Sequence, residues 1–388
     1  MRKIAVVTTS RADYGLLRYT LHALRDDRRC ELLLVVGGSH LSRAAGHTID
    51  EIVGDRIPIA ATVPAKVRAD TGAGAAAAMG ESLAGFATAF ERLGPDVVVV
   101  VGDRYEMLAA AAAAALTGRV IAHLHGGEVT SGSLDEGWRH AITKIAHLHL
   151  VTTRAFGDRV VAMGEPRANV TVVGAPGVEA LKRAEYVSRE DLARDLGFAL
   201  DAPLGIVTYH PVTNDQAATR RELSAMVAAL ERSRFATIVA TWPNADTGSG
   251  AIAESLTALA KRDARVHLLR SLGPQRYPSL MKIADVMVGN SSSGIIEAPS
   301  LRLPVVNVGE RQSGRPRAAN VIDVRGERET IERAIRRATS AAFRTRVNRT
   351  RNPYDGGRTS ARIVRLLLTV KLTNALRQKR FVDARRRS

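Results

Sequence analysis

Short apolar, β-branched runs alternate with stretches of helical period, and the alternation occurs twice along the chain. Ile4–Thr8, Glu31–Val36, Asp96–Val101, Val120–His123 and Leu148–Thr152 are strand-like, while Leu16–Leu24, Gly80–Leu93 and Glu136–Ala146 carry helical spacing. The rhythm restarts with Gly205–Tyr209, Thr237–Thr241, Val266–Leu268, Val286–Val288 and Val305–Val308. Strands separated by helices pair in parallel, with helices on both faces of the sheet. This predicts an α/β chain of two doubly wound, Rossmann-like domains with a cleft between them. Residues 1–177 form the first domain and 178–356 the second. Residues 357–388, with apolar Ile363, Leu366, Leu367, Val370 and Leu376, read as one long basic helix packing back across both.

At 388 residues and 45% hydrophobic, the chain can bury two cores. It lacks the run of about 18 apolar residues that a membrane span needs, and residues 108–116 are too short for one. Met1-Arg2-Lys3 leads straight into Ile4–Val7, short of a signal sequence, and the single Cys30 rules out an internal disulfide or a cysteine zinc cluster. These features predict a cytoplasmic protein. A net charge of +17 calls for an acidic ligand or nucleic acid as partner. Aromatic content of 4% speaks against single-strand stacking platforms, which favours the acidic ligand.

Ligands of doubly wound sheets bind beyond the carboxyl ends of the strands. Here those ends are polar seven times over: Ser10–Tyr14, Gly102–Arg104, His125–Glu128, His210-Pro211, Trp242–Asp246, the serine turn Ser291–Ser293 and Gly309–Gln312. The most informative segment is Val288–Pro299, which reads as a strand end, a small polar turn and a helix start. Ser291, Ser292 and Ser293 would direct hydroxyls and backbone N–H groups at one spot, near a helix dipole, which suits a phosphate. Glu297, five residues after Ser292, could accept both hydroxyls of a ribose. Helix capping offers a plainer account of the serine turn, of Asp103 before a helix starting at Arg104, and of Asp135 before Glu136–Ala146. No G-x-G-x-x-G follows the first strand and no P-loop occurs, so those two nucleotide-binding classes are set aside. His147 and His149 read as structural, and residues 109–115 as helix core.

Several of these segments are similar to those of a known family. Ser10–Tyr14, Gly102–Glu106, His123–Glu128, Arg139–Lys144, His210-Pro211, Asn244–Gly248, Gly289–Gly294, Arg311–Arg315 and Asn352–Tyr354 follow in order over nearly the whole chain. In them the chain resembles the hydrolysing UDP-N-acetylglucosamine 2-epimerases of sialic acid and legionaminic acid biosynthesis, and their relatives that act on the diacetamido bacillosamine analogue. The resemblance implies a glycosyltransferase-B-like fold, a UDP-sugar substrate, no cofactor, no metal, no membrane partner, and a dimer or tetramer. It implies elimination of UDP from C1 with loss of the C2 proton, then addition of water to the glycal. Asp103 and Asp135 match its catalytic carboxylates. Glu297 matches the ribose acid, Ser291 and Ser292 the diphosphate turn, and Arg11, Arg104, His210, Asn244 and Arg311 further UDP or sugar contacts.

The residue types fit that chemistry independently. The C2 hydrogen becomes acidic only as the diphosphate departs, so cations and N–H dipoles must receive that charge while acids near C1–C2 move protons. Arg11, His210, Arg311 and the serine turn could supply the first, and Asp103, Glu128 and Asp135 the second. Where some family members have a glutamate three residues before the Gly-Gly-Glu acid, this chain has His125. His125 could transfer the proton, Glu128 could, or His125 could be a sugar contact only. Rival readings are a non-hydrolysing 2-epimerase, a glycosyltransferase of the same fold, a nucleotide-sugar sensor and a basic nucleic-acid-binding protein.

Overall fold

The structure, a computed structural model, describes residues 1–42, 47–65, 71–212, 215–243, 248–270 and 272–383. Strands β1 (Arg2–Thr8), β2 (Cys30–Gly37), β3 (Ile59–Val63), β4 (Val97–Val101), β5 (Val120–Leu124), β6 (Leu148–Val151) and β7 (Val170–Val172) form a sheet in the order β3-β2-β1-β4-β5-β6-β7. A second sheet, ordered β10-β9-β8-β11-β12-β13, comprises β8 (Leu204–Thr208), β9 (Thr237–Thr241), β10 (Val266–Leu269), β11 (Val286–Gly289), β12 (Val305–Val308) and β13 (Val321–Val324). Every described ladder is parallel. The expected α/β class with two doubly wound, Rossmann-like units is therefore present. The edge strands β3 and β13 went unread in the sequence, being short runs each interrupted by one polar residue, Thr62 and Asp323.

Two compact units divide the chain. One holds Met1–Glu128, Asp135–Ala180 and the residues from Gly356 on, and the other Val129–Leu134 and Leu181–Asp355. Assignment of Val129–Leu134 to the second unit has a local cause: the buried Arg315 donates from Nε to the Val129 carbonyl at 2.8 Å and from Nη2 to Thr130 Oγ1 at 3.4 Å.

Central strands are buried on both faces, which is why they read as unbroken apolar runs. All five valines of β4 are buried. Helix Tyr105–Leu116 beside it buries Ala109, Ala110, Ala111, Ala113 and Ala114, side chains small enough to let it pack closely against helix Gly72–Leu93. No described helix is long and apolar enough to cross a membrane.

The C-terminal segment corrects the expectation of one long helix over residues 357–388. Helix Thr359–Thr369 ends where Val370 turns extended, and Thr373 caps a second, four-residue helix, Asn374–Arg377. Ile363, Val364 and Leu367 bury in the first unit's core, and Arg2 donates to the Leu367 carbonyl at 2.6 Å. Beyond the second helix the chain is tied to the same unit by Glu165. This carboxylate is 1% exposed and takes Lys144 Nζ at 2.6 Å, Lys379 Nζ at 2.6 Å and His149 Nε2 at 3.0 Å. Lys379 also reaches the carbonyls of Ala146 at 2.5 Å and Thr143 at 3.1 Å, which caps the end of helix Leu134–Ile145. His149 is thus structural, as its position in a strand predicts.

Burial pushes the Glu165 carboxyl up, but hydrogen bonds from His149, Lys144 and Lys379 outweigh it and hold it at about 2 against an ordinary 4.5. A depressed acid contributes stability that is complete above its unfolded value and is lost as pH falls toward its folded one. Glu165→Gln is therefore expected to lower the melting temperature most above pH 5, with the gap to wild type narrowing in acid. Melts of both proteins from pH 3 to pH 7 check this.

Candidate active site

In the first unit the strand order reverses between β1 and β4, the switch point at which a doubly wound sheet opens a crevice. Beyond β1, Ser10 caps helix Arg11–Arg25 by accepting from the Asp13 amide, and Asp13 accepts in return from the amide and hydroxyl of Thr9 at 3.1 and 2.8 Å. Asp13 is thereby occupied in building the turn. Arg11 pairs with Glu51 at 2.9 Å.

Beyond β4, Asp103 is ion-paired with Arg139, which is 4% exposed on helix Leu134–Ile145. Helix Tyr105–Leu116 starts one residue later than expected. Arg104, not Asp103, holds its cap position, and no side chain caps it, so capping does not account for Asp103. Arg104 instead grips Glu106 through two nitrogens at 3.1 and 3.2 Å. Asp135 lies in the first turn of helix Leu134–Ile145, one turn ahead of Arg139.

Register brings the next group alongside. Val101 of β4 pairs with Leu124 of β5, so Asp103 and His125 leave neighbouring strands, whose spacing is about 4.8 Å. His125 sits at φ +64°, left-handed and uncommon for any residue but glycine. Its Nδ1 lies 2.8 Å from Glu128 Oε1, and Thr152 Oγ1 donates to the same oxygen at 2.8 Å. Glu128 is 2% exposed. His125 Nε2 is buried without a hydrogen-bond partner among the described residues. Gly127, at φ +72°, must be glycine, because a Cβ there would meet the Phe156 carbonyl oxygen at 2.5 Å. His123 is a brace, bonded to Gly102 O at 2.8 Å and Thr143 Oγ1 at 3.2 Å, and burial drives it down to about 3, hence neutral.

The second unit repeats the plan at the β8/β11 switch point, where Thr208 pairs with Gly289. Asn290, fully buried, makes a reciprocal pair with the His210 backbone, donating to its carbonyl at 2.9 Å and accepting from its amide at 2.7 Å. The carbonyl of Asn290 accepts from Gln312 Nε2 at 2.9 Å and Arg311 Nη1 at 3.3 Å. One asparagine thus fixes three loops. Ser291 caps helix Ser292–Ile296 by accepting from the Ser293 amide at 3.3 Å, and Glu297 follows that helix, half-buried.

Two expectations change here. The serine-turn helix has five residues, so the dipole expected to favour a phosphate there is small. His210 is held at about 3, by burial first and by the nearby Arg311 second, so it offers a neutral ring and not a cation. Asn244, with the motif Asn244–Gly248 that it opens, lies outside the described residues except for Gly248. Among the described residues, no group of three or more His, Cys, Asp or Glu is arranged to hold a metal ion.

A family model described as UDP-N-acetylglucosamine 2-epimerase matches residues 22–368. The chain belongs to this family. It is 37% identical over 379 residues to a UDP-N,N'-diacetylbacillosamine 2-epimerase (hydrolyzing) of Legionella pneumophila, covering 98% of this chain and 99% of that one. It is 34% identical over 383 residues to a GDP/UDP-N,N'-diacetylbacillosamine 2-epimerase (hydrolyzing) of Campylobacter jejuni, with the same coverage. The fold is shared with the UDP-GlcNAc 2-epimerase of Neisseria meningitidis, solved bound to UDP-GlcNAc. The TM-score is 0.83 at 16% identity, covering 95% of this chain and all of that one.

Sequence reasoning passed over Arg139, Thr152, Asn290 and Gln312 as site residues. Arg139 carried a signal, being one helical turn after Asp135. Asn290 sits at the centre of the second unit's rim, and removing its side chain takes two buried hydrogen bonds from the His210 backbone. Asn290→Ala should therefore destabilise the protein by about 1–3 kcal/mol, read as a shift in a urea unfolding midpoint.

Proposed function

We propose that the chain is a hydrolysing 2-epimerase of a UDP-activated 2-acetamido sugar, releasing UDP and the free 2-epimeric sugar. What carries this reading is near-full-length similarity to two relatives that are both named hydrolysing N,N'-diacetylbacillosamine 2-epimerases. It makes the UDP-linked 2,4-diacetamido-6-deoxy sugar the first substrate. The family's description favours UDP-N-acetylglucosamine as the second.

In this reading the second unit binds UDP. Hydroxyls and amides of Ser291 and Ser292 receive the diphosphate, helped by Arg311 and the neutral ring of His210, and Glu297 accepts the ribose hydroxyls. Arg11, Arg104 and Asn244 are further contacts to the substrate. The first unit supplies the proton chemistry through Asp103, Asp135 and the His125–Glu128 pair. As the C1–O bond lengthens, charge collects on the departing diphosphate, where fixed N–H dipoles stabilise it. The C2 proton is then acidic enough for a positioned base. Its bonding pair closes the C1–C2 double bond while the C1–O pair leaves with UDP. Water adds hydroxide to C1, and a proton returned to the other face of C2 inverts that centre.

Incubating the purified protein with each UDP-sugar in heavy water tests the proposal by NMR. Free 2-epimeric sugar carrying deuterium at C2, with one UDP per sugar, is the expected result, and absence of UDP release from both sugars overturns it. Asp103→Asn should lower kcat at least about a hundredfold while UDP affinity by calorimetry stays near wild type. Glu297→Ala should reverse the pattern, weakening UDP binding by more than it slows the bound substrate.

A further inference from the structure

Resting on that reading and deepening it, we propose that His125 Nε2 is the base of the C2 proton transfer, and that Glu128 and Thr152 are positioning residues that present it. The geometry decides between the two candidates in the His-Gly-Gly-Glu segment. Each carboxylate oxygen offers two lone-pair sites, and Glu128 Oε1 already takes bonds from His125 Nδ1 and Thr152 Oγ1, both at 2.8 Å. A carboxylate so engaged and 2% exposed works as a fixed acceptor behind the ring. Because it accepts, the proton of a neutral His125 resides on Nδ1, which leaves the lone pair on Nε2.

That nitrogen is the unsatisfied atom of the group. Nε2 is buried with no hydrogen-bond partner among the described residues, a condition native proteins rarely retain without a use. The backbone adds a second observation. A histidine at φ +64° is held against its intrinsic preference, and such strain persists where surroundings over-determine the residue. Here the determinants are the His125 amide bonded to Leu150 O at 3.2 Å, the Glu128 carboxylate, and Thr152 just beyond β6. Leu124 and Leu150 are paired across β5 and β6, so the ring, its acceptor and the threonine all hang from adjacent strand ends.

In the elimination, Nε2 accepts the C2 proton, the C2–H pair becomes the second C1–C2 bond, and the C1–O pair departs on the diphosphate. The resulting imidazolium faces Glu128, which neutralises it without taking the proton. Thr152 holds the carboxylate oxygen that receives the ring.

The test uses the full chain with His125→Gln, Thr152→Val and Thr152→Ser. Thr152→Val should lower kcat roughly tenfold with KM nearly unchanged, the size of one lost hydrogen bond to a charged group, and Thr152→Ser should recover most of it. Independently of turnover, nitrogen NMR of histidine-labelled protein without substrate should show His125, assigned by its absence in His125→Gln, protonated on Nδ1 and bare on Nε2. Thr152→Val should mix the two tautomers. A wild-type ring protonated on Nε2, or Thr152→Val and Thr152→Ser equally slow, overturns the proposal. So does wild-type turnover in Thr152→Val, which leaves the functional reading standing. A wild type that releases no UDP from either sugar brings down both.

Discussion

Parallel pairing is the constraint from which the rest of this molecule follows. Each strand must be reached by a crossover, so all carboxyl ends of a sheet open on one edge, and the loops there can be polar without breaking the core. In both units polar residues gather at the carboxyl ends of the strands at and beside the point where strand order reverses. The important residues are also close to the strands that carry them. His125 directly follows Leu124, Thr152 follows Val151, Asn290 follows Gly289, and Asp103 comes two residues after Val101. Side chains so near a buried ladder inherit its rigidity, which is the condition for placing proton-transfer groups accurately.

Polar groups on each rim are held chiefly by one another. Arg139 aims Asp103, Glu128 receives His125 and Thr152, and Asn290 joins the ends of three loops. All are buried except Asp103, which is half-buried. Losing a single partner would leave a desolvated group behind, and such networks resist piecemeal change for that reason. The large positive charge of the chain plays little part in this. Among the arginines of the rim, Arg139 and Arg104 face internal carboxylates.

The fold was legible because period and spacing survive any environment. Runs such as Val97–Val101 can only be interior strands, and their repetition set both sheets. The residues Asp103, His125, Glu128 and Ser291 were legible for the same reason, as polar residues just beyond such runs. What was not legible depends on packing. Nothing local to Thr152 announces that its hydroxyl reaches a carboxylate 24 residues away. The buried pairing of Asn290 with His210 joins positions 80 apart. The protonation state of His210 follows from burial, which a sequence displays poorly. The C-terminal segment was misread because its apolar residues keep helical spacing through Val370, while Lys379 is drawn to Glu165 and the chain must turn to reach it.

The backbone at His125 bears on how this position could change over time or by design. A left-handed conformation is easiest for glycine and then for asparagine or aspartate, and it disfavours β-branched and bulky side chains. Any replacement there faces two separate filters, one for fitting the loop and one for chemistry. Residues that pass the first most easily are poor bases or too short. With the role proposed for His125, exchanging the imidazole for a different proton carrier calls for remodelling of the Gly126-Gly127 loop along with it, so that change at this corner comes in blocks and not one residue at a time.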